Sequence, residues 1–447
     1  MLLAAALMAT ASIHAADTSL QKPDPACAYT HPPSKLFRAF TGACSHGDEN
    51  KALAIIRQGL GANETDEDGN TVLGWAARGG LPQATKALVE RGADVNAMTD
   101  YHYTVLRLAI GGKNLETVSY LISKGVDVNR ACDGVDYMPL MEAASFGVPD
   151  ITHLLIAKGA RVNARTKNGT DALSLAAENG HPDVIALLAD HGADLNHLGS
   201  EGMTPLIWAS LAGYLDAVKM LVQKGAKVNL QSEPYRMTAL ASASSPVDEK
   251  GRDHLGVVKY LLDHGANPSI PDKNGFTALM NASVYGRVEV MKDLVAAGAD
   301  IHSVDGEGAK AFKDSLRENR FSSLKTLLDS GANPNWKVDN DYPALLYAIE
   351  IKQNVETVEM LVKAKADVNV TRKQGLIYSG PSIGTPMPHF YEYSALIAAV
   401  KRGSLPLVKI LLQAGADTAY KDSKGKTALD RAREGKCPEI VQLFTSR

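Results

Sequence analysis

In the stretch DVIALLADHG, residues 183–192, apolar side chains fall at Val184, Ile185, Leu187 and Leu188. That is the one-sided spacing of a helix with a single buried face. The run stops at Gly192, a residue suited to the left-handed turn that closes a helix. A shorter apolar run, GTDALSLAAENGH at 169–181, precedes it, and the same short run returns as GNTVLGWAARGG (69–80), GMTPLIWASLAG (202–213), GFTALMNASVYG (275–286) and GKTALDRAREG (425–435). Thr71, Thr104, Thr204, Thr238, Thr277 and Thr427 stand just before such runs, where a hydroxyl caps the free N–H groups of a first helical turn. Small pairs such as Ala76-Ala77, Ala143-Ala144, Ala176-Ala177 and Ala398-Ala399 let neighbouring helices approach closely. The pattern predicts short helices in pairs, and one pair cannot bury its apolar face alone, so the pairs must stack.

The closing motif fixes the period. It reads GLGANET, ERGADVN, SKGVDVN, AKGARVN, DHGADLN, QKGAKVN, DHGANPS, AAGADIH, DSGANPN, KAKADVN and QAGADTA. Its reference positions are Gly61, Gly92, Gly125, Gly159, Gly192, Gly225, Gly265, Gly298, Gly331, Lys365 and Gly415, separated by 31, 33, 34, 33, 33, 40, 33, 33, 34 and 50 residues. Length and box together resemble the ankyrin repeat, with its Thr-Pro-Leu-His-x-Ala signature. The histidine of that signature is replaced throughout, for example by Gly74, Arg107, Ser174 and Ile207, and the unit at 304–335 is the weakest match. The resemblance implies an all-α repeat solenoid of stacked ankyrin helix pairs with β-turn or hairpin fingers. It covers 35–447 in about twelve repeats, with insertions near 244–254 and 370–393. The first insertion lies between paired helices and reads as a solvated loop; the second lengthens a finger into an arm.

At 447 residues the chain exceeds what one compact core usually holds, which agrees with repetition. A net charge of −3 without like-charge blocks gives no footprint for nucleic acid. The apolar stretch from Leu2 to Ile13, followed by Ala15 and Ala16, has the character of a signal peptide over 1–15, although no Lys or Arg stands near Met1. A periplasmic or secreted location is the expectation that follows, and no later segment approaches the ~20 apolar residues of a membrane span. Residues 16–34 are proline-rich and are expected to lie extended against the first repeat. Cys27 and Cys44 are close enough in sequence to form a disulfide in an oxidising compartment; the alternative, a buried thiol at Cys44, stays open. Cys132 and Cys437 are expected to stay unpaired with each other.

Gly380-Pro381-Ser382-Ile383-Gly384 matches the nucleophile elbow of hydrolases, but Thr385-Pro386-Met387-Pro388 cannot open directly into the helix such an elbow requires. No acid stands between Ser382 and the last histidine, His389, so catalysis is not expected. The histidines follow the repeat and show no metal-binding spacing, and His191 and His264, beside terminal glycines, suit the negative end of a helix dipole. No metal or cofactor is expected. Trp75 and Trp208 are read as core.

Surface recognition remains. In the resembled family the fingers and first helices line a concave face that binds other proteins. The residue before the box threonine lies on that face, and here it is Tyr103, Tyr137, Phe276, Tyr342 and Tyr393, with Met203 and Met237 in two more repeats. Late in the first helix, Phe146, Leu211, Tyr285, Ile351 and Arg402 take the corresponding place. Tyr378, Phe390 and Tyr391 stand on the arm. Aromatics are enriched at the centres of protein interfaces, so these residues read as a binding stripe, against the alternative that each finger tyrosine packs on its neighbour. The expectation is a monomeric, non-catalytic scaffold or accessory factor of the bacterial cell envelope that binds a protein. The alternatives are an inhibitor or immunity protein occluding a toxin or enzyme, a host-directed effector, and a hydrolase using Ser382.

Overall fold

The structure, a computed structural model, describes residues 34–445 apart from 133–135, 246–253, 302–310, 313–314, 317–319, 339–341, 353 and 376–389. The signal peptide, the proline-rich segment, Cys27, Tyr378 and Ser382 therefore lie outside the described residues. The chain divides into two units, 1–273 and 274–447.

The first unit holds seven helix pairs: Lys35–Ser45 with Glu49–Arg57, Val72–Arg78 with Pro82–Glu90, Val105–Gly111 with Leu115–Ser123, Pro139–Phe146 with Pro149–Ala157, Ala172–Glu178 with Pro182–Asp190, Pro205–Leu211 with Leu215–Gln223, and Ala239–Ala243 with Leu255–Asp263. First helices pack on first helices and second on second, which makes two parallel rows. The second unit repeats the scheme with Ala278–Val284 and Val288–Ala296, Phe321–Asp329, Ala344–Tyr347 with Val355–Lys363, Ala395–Lys401 with Leu405–Gln413, and Ala428–Glu434 with Pro438–Thr445. Phe312, from the repeat with the weakest sequence match, is fully buried and meets Trp336 edge-on at 5.1 Å. No described helix is long and apolar enough to cross a membrane.

The landmarks act as their chemistry requires. Each predicted threonine is an N-cap; Thr71 Oγ1, for instance, accepts from the Gly74 N–H at 3.0 Å and Thr204 Oγ1 from Ile207 at 3.2 Å. Asp171 and Ser394 fill the same role where threonine is missing. Each cap contributes about 1 kcal/mol. The alanine pairs are buried between stacked first helices. Gly192 has φ +82°, and Lys365, in the one repeat lacking that glycine, is held at φ +66°, a left-handed conformation that an ordinary side chain adopts only under constraint.

The asparagine of the closing motif joins one repeat to the next. Asn129 Oδ1 accepts from the Arg161 N–H at 2.9 Å while its Nδ2 donates to the Gly159 carbonyl at 2.9 Å. Asn163 bridges to Asp194 and Gly192 in the same manner, and Asn369 reaches the Asp417 N–H across the longest interval at 2.8 Å. An amide supplies an acceptor and a donor at one point, which explains asparagine here.

His191 and His264 close their helices as expected, each Nδ1 lying 2.9 and 2.8 Å from the carbonyl one turn back. Trp208 is buried, but Trp75 is only half-buried and its Nε1 donates to Asp66 at 2.8 Å, so it braces a finger rather than filling the core. The flanks of the 244–254 insertion also depart from a solvated loop. Ser244, Ser245 and His254 are buried, and the His254 ring lies against Gly213, whose missing side chain leaves the room. Cys44 is buried, which pushes its thiol up to about 12, and Cys132 and Cys437 are free. The pairing of Cys44 with Cys27 lies outside the described residues.

Candidate partner-binding face

In the first unit, two fingers end at tyrosines above one first helix. Backbone bridges pair Met98 with Thr104 and Cys132 with Tyr137, each across a residue of positive φ, His102 at +61° and Asp136 at +53°. The turns deliver Tyr103 and Tyr137 to Arg107, whose own N–H is capped by Thr104. The guanidinium carbon lies 4.1 Å from the Tyr103 ring centroid and 4.8 Å from that of Tyr137. Arg107 Nε pairs with Glu142 Oε2 at 3.2 Å, and Nη1 donates to Cys132 Sγ at 3.4 Å. Burial works against the charge on Arg107, but Glu142, Cys132 and Tyr103 together outweigh it, so the group titrates above the usual arginine range. Burial, and next Glu142, push the Tyr137 hydroxyl up. Arg107 fills the box position where the resembled family has histidine.

In the second unit, the finger tyrosines converge on an acid. The helix Ala344–Tyr347 runs on as a wider π-helical turn, Ala348–Lys352, that carries Glu350 and Ile351. Tyr342 donates its hydroxyl to Glu350 Oε2, and Tyr393 donates to the same oxygen at 3.0 Å. The Arg372 guanidinium stacks 3.5 Å from the Tyr342 ring centroid, with Nη1 4.0 Å from Glu350 Oε2. Burial, with the Glu350 hydrogen bonds next, pushes both tyrosine hydroxyls well up. Arg372 and Tyr393 face each other across an antiparallel hairpin, Thr371–Gly375 with Phe390–Ser394, which forms the base of the predicted arm. The side chains of Phe390 and Tyr391 are outside the described residues, though their backbones pair with Gly375 and Gln374.

These arrangements correct the binding stripe. Tyr342 and Tyr393 are only 7% and 3% exposed, and Met203 and Met237 are buried, so they offer a partner almost no surface. Tyr103, Tyr137 and Phe276 are half-buried, and the first two are occupied by Arg107. The packing alternative holds for the finger tyrosines because each ring or hydroxyl has a charged partner within its own unit. The late first-helix positions differ. Phe146 is 38% and Ile351 55% exposed, Leu211 and Tyr285 are half-buried, and Arg402 is exposed. Sequence reasoning did not single out Arg107, Glu142, Glu350 or Arg372 as anchors. The signal available was Arg107 in the box histidine's place.

A family model described as ankyrin repeats (3 copies) matches residues 40–132, 140–232, 230–305 and 373–447. A palmitoyltransferase of Danio rerio, ZDHHC13, is 29% identical over 206 residues, covering 42% of this chain and 32% of that protein. The chain thus spans about a third of the length of that relative. The ankyrin repeat protein YahD of Escherichia coli (strain K12) is 29% identical over 187 residues, covering 42% of this chain and 87% of that one. Among solved structures, the human ASB11 ankyrin repeat domain is 23% identical with a TM-score of 0.44, covering 51% of this chain and 98% of that one.

Proposed function

Because the chain belongs to the ankyrin-repeat family, we propose that it is a non-catalytic scaffold or accessory factor of the bacterial cell envelope, holding a partner protein at exposed ends of its first helices. One observation carries the reading: among the described residues, Phe146 and Ile351 are large apolar side chains left exposed at equivalent positions, the ends of first helices. Desolvated aromatic and aliphatic anchors supply most of the affinity of protein interfaces. The envelope location rests on the apolar stretch Leu2–Ile13 and the small residues after it.

The test is a crosslinked pull-down from the native envelope, read by mass spectrometry, using wild type, Phe146→Ser and Ile351→Ser. A single partner, reduced about tenfold or more by either substitution at unchanged melting temperature, supports the reading. A partner captured equally by all three chains contradicts it. Loss of an enzymatic activity of the captured partner on binding would turn the scaffold into an inhibitor.

A further inference from the structure

First helices carry five acidic side chains among the described residues: Glu142, Glu178, Glu350, Asp430 and Glu434. Four are engaged. Glu142 pairs with Arg107, Glu350 takes two tyrosine hydroxyls, Asp430 binds back to its cap Thr427, and Glu434 pairs with Lys426 at 3.1 Å. Glu178 has no hydrogen bond and no ion pair in the described structure, yet it is half-buried. Burial alone pushes its carboxyl up to about 7. A carboxylate kept half out of water without a partner costs stability, and a ligand of opposite charge would recover that cost.

Its place on the face is defined on both sides. The helix Ala172–Glu178 packs on Pro139–Phe146 and on Pro205–Leu211. On the first side, His181 Nε2 lies 3.0 Å from the Ser145 carbonyl and its ring covers Gly147, which sets the end of helix 172–178 beside Phe146. On the second, the Tyr214 ring lies across Gly180, which has φ +73° and no side chain to obstruct it. Lys113, the cation over the Phe146 ring at 5.2 Å, is already bound to the Phe146 carbonyl. One turn back on the same helix face as Glu178, Ser174 is buried with its hydroxyl unpartnered, so it gives the acid no hydrogen bond.

We propose that Glu178 receives a lysine or arginine side chain of the protein partner, seated between the exposed ring of Phe146 and the Leu211–Tyr214 corner. The stem of such a side chain covers apolar surface while its charged head meets the carboxylate. The proposal rests on the partner-binding reading above and names the chemistry that face selects.

The test selects binders from a phage library of random dodecapeptides on the full chain, then measures the synthesised peptides by fluorescence polarisation. The chains compared are wild type, Glu178→Gln and Phe146→Ala. Selected peptides should share a basic residue whose replacement by norleucine weakens binding to wild type about tenfold or more. On Glu178→Gln, the same replacement should change little. Glu178→Gln is isosteric and sheds a desolvated charge, so it should fold at least as well as wild type. Peptides without a basic preference, or whose basic residue matters equally on Glu178→Gln, overturn this inference. If those peptides still weaken on Phe146→Ala, the binding reading stands without it; if neither substitution touches them, the reading falls too.

Discussion

The clusters around Arg107 and Glu350 solve one problem with opposite charges. Both sit where two fingers deliver tyrosines onto a first helix. At Arg107 the centre is a cation, and the tyrosines contribute ring faces. At Glu350 the centre is an anion, and the tyrosines contribute hydroxyls. Tyrosine serves both because it has a negative ring face and a donor at its tip. The lesson concerns recurrence. An aromatic that returns at one repeat position suggests a binding stripe, yet here it locks each finger to the helix below. The proposed recognition surface lies instead at the first-helix ends, where Phe146 and Ile351 reach solvent.

The comparison can be broken at its centres. Glu350→Ala leaves two buried hydroxyls and Arg372 without their acceptor and should cost about 3 kcal/mol, seen as an earlier unfolding step confined to the second unit. Arg107→Ala strands Glu142 and should cost about 2 kcal/mol, because the Arg107 side chain keeps 21% of its exposure against 15% for Glu350. Chemical denaturation with a probe in each unit would check both, and equal effects on the two probes would contradict the local clusters.

Glu178 tests the opposite sign. Its folded pKa is raised from 4.5 to about 7, so folding favours the protonated acid. The stabilising contribution is complete below pH 4.5 and is lost as pH rises through 7. Glu178→Gln should match wild type at pH 4 and exceed it by ~1–2 kcal/mol at pH 8, reduced from the ~3 kcal/mol the shift implies because the group keeps some water. Melting temperatures across that range decide it, and a constant difference would contradict the unpaired carboxylate.

A finer cut separates ring from hydroxyl. Tyr393→Phe removes a hydrogen bond to Glu350 and should cost about 1 kcal/mol, whereas Tyr103→Phe keeps the ring over Arg107 and should stay within about 0.5 kcal/mol. Equal costs would mean the two clusters use tyrosine alike.

Much of this fold is written locally. The period, the cap threonines and the alanine pairs each have a short-range cause, so the helix pairs follow from adjacent residues. The asparagine ladder was in plain view as the final N of GADVN, but its partners lie about thirty residues away in the next repeat. Tyr342 and Tyr393 were placed correctly on the fingers and read as a binding stripe, whereas they are buried, because Glu350 meets them only after stacking and through a widened helical turn that no spacing rule announces. Glu178 carried no signal at all. Its distinction is the absence of a partner, which exists only once every neighbour is placed.

The central claim is that finger tyrosines hold the fold while the first-helix ends hold the partner. A photo-crosslinking amino acid placed at position 146 in one chain and at position 103 in another, irradiated in the native envelope, tests it most directly. The account predicts a discrete crosslinked species from 146 and none from 103. A species from 103 with none from 146 would contradict it.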